Sequence, residues 1–244
     1  MGGIKIIGLK KSYQVENREL PVLTGIDLEI PEKQITVILG RSGCGKTTLL
    51  RLTGGLEQAD SGEIRYDGSH RTAFVFQEPR LMPWLTVRQN ILFGLKGKEK
   101  KENGSRAEEI IRTVGLSGFE KAYPAQLSGG MQQRTALARA LAYRPSFIMM
   151  DEPFAALDHF TREQMQQELL RVQRTEESSI LFVTHSIDEA LILGNKLAVI
   201  DRGRVKKEYV LEDPAEKRNL LDDRFIQLKR EVIGDLNEAE TAGE

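Results

Sequence analysis

A single cysteine, Cys44, leaves no partner for a disulfide within the chain. That usage fits a reducing compartment. No apolar run approaches the roughly 20 residues that a membrane-spanning helix needs, so a role at a membrane would require docking on something already there. The opening stretch MGGIKIIGLKK has no long apolar segment ending in small residues, and it is not expected to be a signal peptide. Ile6 stands where a myristoylation signal wants Ser or Thr. An excess of either charge is also missing, since Lys+Arg total 35 and Asp+Glu 36. That balance argues against a bulk electrostatic binder, and no nucleic-acid partner is expected. There is no internal repeat. The 244 residues suffice for one sizeable core, or a core plus a small subdomain.

The first third reads as strands. IKIIGLKKSY and GIDLEI alternate apolar and polar residues, whereas ITVILG is a continuous apolar run of the kind buried on both faces. KTTLLRLTGGL then has helical spacing, and GEIRYDG and TAFVFQ read as two more strands. Ala107, Ile110, Ile111 and Val114 mark one face of a helix, and Leu137, Ala140 and Leu141 mark another. The stretch from 79 to 145 is therefore expected to be an inserted, mostly helical subdomain, with KGKEKKENGS as a mobile charged loop within it. Strand–helix alternation then resumes with SFIMMDE, a helix from Thr161 to Arg174, and SILFVTH. Ser186 and Glu189 have capping-box spacing, and KLAVIDRGRV reads as a strand pair around an Asp-Arg-Gly turn. Phe225, Leu228, Val232 and Leu236 predict an amphipathic helix in a tail from about 212 to 244, with NEAETAGE frayed.

GRSGCGKT, from Gly40 to Thr47, matches G-x-x-x-x-G-K-[ST] in full and lies between a buried strand and a helix, as that motif requires. Gly40, Arg41, Ser42, Gly43, Cys44 and Gly45 would turn backbone N–H groups toward phosphate oxygens, and Thr48 follows in the helix. Lys46 would reach the β- and γ-phosphates of ATP, and Thr47 would offer its hydroxyl to Mg²⁺. Lys46 and the helix N-terminus should also favour the Cys44 thiolate, so that N-ethylmaleimide inactivates and MgATP protects. The plainer reading of the loop is a turn joining strand to helix. In FIMMDE, Asp151 emerges at the end of a buried strand where it can hold Mg²⁺ through water. Glu152 can accept a proton from an attacking water, or can be an acidic residue placed for dipole reasons near a helix start. LSGGMQQR, from Leu127 to Arg134, looks like a second glycine-rich phosphate grip without a lysine. By itself it reads equally as a serine helix cap with a flexible lead-in.

GRSGCGKT, Gln77, LSGGMQQR, FIMMDEP, AALD and His185 occur in the order found in ATP-binding cassette (ABC) ATPases, and the chain resembles that family over nearly its whole length. The resemblance implies an α/β fold, a P-loop NTPase core with a β-rich N-terminal part and an inserted helical subdomain, in a single nucleotide-binding domain spanning 1–244. It implies a head-to-tail homodimer, in which ATP on one phosphate loop is capped by Ser128, Gly129 and Gly130 of the other copy. Met131 departs from the usual glutamine. By resemblance, Gln77 touches Mg²⁺ or the attacking water, His185 contacts the γ-phosphate, and Asp158 closes a turn that faces the dimer interface. Tyr13 lies where the family stacks an aromatic ring on adenine. Read without the family, His185 is a satisfied residue at a strand end and Tyr13 a tyrosine packed along a strand.

FQEPRLMPWLTVRQNILFGL resembles the importer ATPases of the nitrate, sulfonate and taurine group, as does LKREVIGDL in the tail. An apolar cluster around Trp84 suits a groove for a helix of a membrane permease subunit, unless Trp84 is simply subdomain core. The implied place is the cytoplasmic face of the cell membrane, held there by integral membrane permease subunits that work indirectly with a solute-binding protein. A soluble ABC ATPase of translation or DNA maintenance is the alternative. It usually has two cassettes in one chain or long coiled coils, and neither is found here. A P-loop kinase would need neither LSGG nor AALD.

Overall fold

The computed structural model of the chain describes residues 3–68, 71–95, 104–155 and 157–237. Strands β1 (Gly3–Val15) and β2 (Arg18–Pro31) pair antiparallel, and β4 (Ser61–Tyr66) joins the other edge of β1. Their alternation buries Ile4, Ile6 and Leu9 from β1 and Leu23, Ile26, Leu28 and Ile30 from β2 on one face. A register shift between Ile6 and Leu9 explains why the buried positions change from even to odd numbers.

The second sheet has the order β5-β6-β7-β3-β8-β9. β5 (Thr72–Val75), β6 (Phe147–Asp151), β7 (Ser179–Thr184), β3 (Ile35–Leu39) and β8 (Lys196–Asp201) run parallel. The edge strand β9 (Arg204–Val210) is antiparallel to β8. Arg202 and Gly203 join them with φ of 45° and 74°, the backbone of a tight hairpin turn.

The continuous apolar runs serve two cores. Ile35, Val37, Leu39, Ile148, Met150, Ile180 and Phe182 face one side; Ile38, Phe147, Met149, Leu181 and Val183 face the other. The second side is covered by the three-stranded sheet and by α1 (Lys46–Thr53). The first is covered by the remaining helices. Between β5 and β6 these are α2 (Val87–Ile91), α3 (Gly104–Thr113) and α4 (Gly129–Ala142). Ala107, Ile110, Ile111, Val114, Leu137, Ala140 and Leu141 are all buried. α5 (His159–Glu176) follows β6, α6 (Ile187–Leu193) follows β7, and α7 (Asp223–Asn237) closes the chain with Phe225 and Val232 buried.

Three expectations change in detail. β5 ends at Val75, so Gln77 lies two residues past the strand. α5 is longer than the Thr161–Arg174 span expected, because Asp158 caps its start. The Ser186–Glu189 box is only half made: Ser186 Oγ accepts from the Glu189 N–H, but the Glu189 carboxylate turns to Thr184 instead. Residues 96–103 of the expected charged loop, Ala156 of AALD, and residues 238–244 of the tail lie outside the described residues.

Candidate active site

β3, β5, β6 and β7 are neighbours in the sheet and parallel, so their carboxyl ends open on one edge. The phosphate loop follows β3, Gln77 follows β5, Asp151 ends β6, and His185 directly follows β7. A cleft of about 340 Å³ lies there, lined by Ser42, Gly43, the run Gly45–Thr48, Val22, Gln77 and Glu152. The fold thus brings the loop, Gln77 and Glu152 together from distant parts of the sequence.

The loop is shaped by its own packing. Gly45 has φ 101° and caps α1; a Cβ there would lie 2.7 Å from Leu23 Cδ2, so the loop is pressed onto β2. A Cβ on Gly40 would meet the Ile200 carbonyl oxygen at 2.5 Å and Cys44 Sγ at 2.6 Å. Lys46 is buried, and its Nζ donates to the carbonyls of Gly40 and Arg41, both at 2.8 Å. Arg41 reaches outward and donates to Asn237 Oδ1 at 3.1 Å.

Cys44 corrects an expectation. Its thiol is buried against Gly40 and the lower core and does not line the cleft. Burial pushes the thiol up, overcoming the opposing pull of Lys46, so the thiolate is disfavoured. The sequence context of lysine and helix start predicted the reverse because it carried no information on which way Sγ points.

Thr47 Oγ1 donates to Asp151 Oδ1 at 3.1 Å. Burial pushes the Asp151 carboxyl up, while the Thr47 hydrogen bond pulls the other way. An anion kept partly out of water beside a hydroxyl is chemistry suited to a hard cation. Among the described residues there is no group of three or more His, Cys, Asp and Glu side chains that would cage a metal by itself. A hydroxyl beside a carboxylate fits a cation such as Mg²⁺, which takes few protein ligands and fills its shell with water and phosphate oxygens.

Glu152 has φ 45°, unusual for a residue with a side chain, and its N–H donates to the Val183 carbonyl at 2.9 Å. That twist sets the carboxylate at the cleft, where Oε2 meets His185 Nδ1 at 2.9 Å. His185 is exposed and stands out from the strand end.

Ser128 Oγ caps α4 by accepting from the Met131 N–H at 3.3 Å. Gly129 meets nothing where a Cβ would stand, and Gly130 lies against Leu157. Ser128, Gly129 and Gly130 are not in the lining of this chain's cleft. Asp158 is exposed and accepts from the Thr161 N–H at 3.0 Å; the Thr161 hydroxyl first, and then this N–H, hold its carboxyl low. The Tyr13 hydroxyl donates to Glu57, and the ring stands half-buried beside α1, where Thr48 also reaches its hydroxyl. Trp84 is 69% exposed, so it is not subdomain core.

Several residues escaped the sequence reading. Val22 lines the cleft from β2. Gln133 Nε2 donates to the Phe76 carbonyl at 3.0 Å, and Arg139 donates to the carbonyls of Pro79 and Arg80. The segment containing Gln77 is therefore tied to α4 by two polar side chains, six residues apart on the helix.

The ABC transporter family model matches residues 23–155. An uncharacterized ABC transporter ATP-binding protein of Methanocaldococcus jannaschii is 42% identical, covering 96% of this chain and 91% of that protein. The aliphatic sulfonates import ATP-binding protein SsuB of Bacillus subtilis is 40% identical, covering 95% of this chain and 93% of SsuB. Among solved structures, the ATP-binding cassette MJ0796, a dimer in a post-hydrolysis state bound to ADP and Pi, superposes with a TM-score of 0.77 at 31% identity, covering 86% of this chain and 99% of that one. A phosphate loop, a half-buried Asp–Thr pair and a Glu–His pair share one sheet edge, and by its family match and these relatives the chain belongs to the ABC transporter family, among its ATP-hydrolysing subunits.

Proposed function

We propose that this chain powers solute import through permease subunits of the nitrate, sulfonate and taurine type, as a homodimer on the cytoplasmic face of the membrane. The observation that carries this reading is Trp84, held out on the loop that follows Gln77 in FQEPRLMPWLTV. Met82, Leu85 and Thr86 of that loop offer their carbonyls to buried Asn90, which fixes the loop while leaving the indole in water. An exposed aromatic on a fixed loop downstream of Gln77 suits the short helix of a permease. The solute-binding protein is then an indirect partner. We take 79–145 as the helical subdomain and 212–244 as the tail.

In this reading ATP lies on the loop from Gly40 to Thr48, with adenine beside Tyr13. Lys46 exchanges the Gly40 and Arg41 carbonyls for β- and γ-phosphate oxygens. Thr47 and Asp151, with Gln77 near, would hold Mg²⁺, which when bound offsets phosphate charge. Glu152 accepts the proton of the attacking water, and His185, held by Glu152, faces the γ-phosphate. The opposite copy supplies Ser128, Gly129 and Gly130 at the start of the 14-residue α4, whose N-terminus favours an anion. Asp158 faces that copy.

Glu152→Gln tests the site. Loss of the base is expected to cut turnover by at least about 100-fold while ATP binding persists. ATP should then hold the dimer closed, seen as a shift to twice the mass on size-exclusion chromatography. Turnover near that of the unaltered protein would remove Glu152 from the chemistry.

A further inference from the structure

Glu189 is 5% exposed and does not line the cleft. A full capping box would put its carboxylate on the Ser186 N–H, yet that N–H goes to Thr184 Oγ1 at 3.0 Å. The Thr184 hydroxyl in turn donates to Glu189 Oε2 at 2.6 Å. The hydroxyl of Thr184, a residue 2% exposed that directly precedes His185, therefore holds the backbone just after His185 and is itself held by a carboxylate. The other oxygen, Glu189 Oε1, faces Arg162 Nε at 3.7 Å. That Nε is buried and makes no hydrogen bond, while Arg162 Nη2 donates to the Leu157 carbonyl at 2.9 Å. Leu157 precedes Asp158 and packs against Gly130.

A buried carboxylate with a single short hydrogen bond and a distant cation is an expensive arrangement for helix capping alone. Desolvation pushes the Glu189 carboxyl up, and the charges of His185 and Glu152 both reach it. We propose that Arg162, Glu189 and Thr184 are positioning residues that tie the Leu157–Asp158 turn to the placement of His185 against Glu152. They touch no nucleotide. They set how well the Glu152–His185 pair is oriented when the turn meets the second copy, so they act on the chemical step and leave ATP binding alone. This rests on the dimer and on the roles of Glu152 and His185 given above.

The test is steady-state ATPase kinetics of the full chain with a parallel count of bound fluorescent ATP analogue per chain. Glu189→Gln, Thr184→Val and Arg162→Met are each expected to lower kcat by about tenfold, with KM and binding stoichiometry within about twofold of the unaltered protein. Combining Glu189→Gln with Thr184→Val should cost no more than about twofold beyond either alone, because both break the same link. Thr184→Ser keeps the hydroxyl and should recover activity to within about twofold. If Glu189→Gln fails to fold, the Thr184→Val and Thr184→Ser pair carries the comparison. Normal kcat in the single variants overturns the proposal, as does a loss of kcat matched by an equal loss of bound analogue. Glu152→Gln separates the two readings. If it is inactive while the positioning variants are normal, only the positioning chain fails; if it turns over normally, the site assignment itself has failed.

Discussion

Cys44 lies one residue before Gly45 and two before Lys46, yet its Sγ packs under the loop against Gly40 and the core. Its thiol is raised by burial, so the native state favours the neutral form. The sign follows from that. The group's contribution to stability is present below the ordinary thiol range and is lost as pH rises through the raised native value. At pH 7, labelling of native Cys44 by N-ethylmaleimide, followed by mass spectrometry, is expected to be at least about tenfold slower than in denaturant. Nucleotide should change that rate little. Labelling as fast as in the unfolded chain would put the thiol in the cleft. Residue chemistry of the opposite kind occurs at Glu152, where a positive φ costs about 1–3 kcal/mol of strain and turns a carboxylate toward His185.

The loop from Met82 to Thr86 is an irregular element built around one buried amide. Asn90 Oδ1 accepts from the Met82 N–H at 2.8 Å, and Nδ2 donates to three carbonyls. Asn90→Ala would take the side-chain partner from the Met82 N–H and the Leu85 carbonyl, while the Met82 and Thr86 carbonyls keep the N–H groups of Leu85 and Asn90, and it is expected to cost about 2–3 kcal/mol in chemical denaturation. Because Trp84 is the chain's single tryptophan and stands in water, its native emission should lie near that of free indole and shift little on unfolding. A native emission well to the blue would contradict the exposed placement. α4 reaches back to this segment: its side chains Gln133 and Arg139 hold carbonyls on both sides of Gln77, and its first residues are Gly129 and Gly130.

At the scale of the molecule, Ser128, Gly129 and Gly130 lie outside the lining of the cleft, and in the function proposed above a second copy supplies them. A two-fold head-to-tail pair would complete two such sites from two copies. Lys46→Ala and Ser128→Arg proteins are each expected to be inactive alone. In the mixed dimer both lesions fall on one nucleotide, and the other site keeps an intact loop and an intact grip. Equal mixing should therefore recover about a quarter of the ATPase rate if one site works by itself, since about half the dimers are mixed and each holds one of two sites. A mixture as inactive as its components, with mixed dimers demonstrated by tagged pull-down, would place the two grips of one and the same chain on one ATP, or show that a single intact site does not turn over.

Much of this was legible along the chain, because strand and helix periods, glycine turns and the order of the motifs are local properties. ITVILG, FIMMD and SILFVT had to be strands buried on both faces, and GRSGCGKT had to join one of them to a helix. The order of β5, β6, β7 and β3 was not local, so tertiary structure alone decided that Gln77, Asp151, Glu152 and His185 meet at one edge. The same holds for Cys44 and Glu189. Neighbouring charges pointed to a reactive thiol and a capping carboxylate, but solvent exclusion and side-chain direction are set by what packs from distant segments. Ile200 and Leu23 close around the phosphate loop, and Arg162 and Thr184 draw Glu189 inward. A residue's type and spacing carry its chemistry; its dielectric surroundings and its partners exist only after the chain has closed around it.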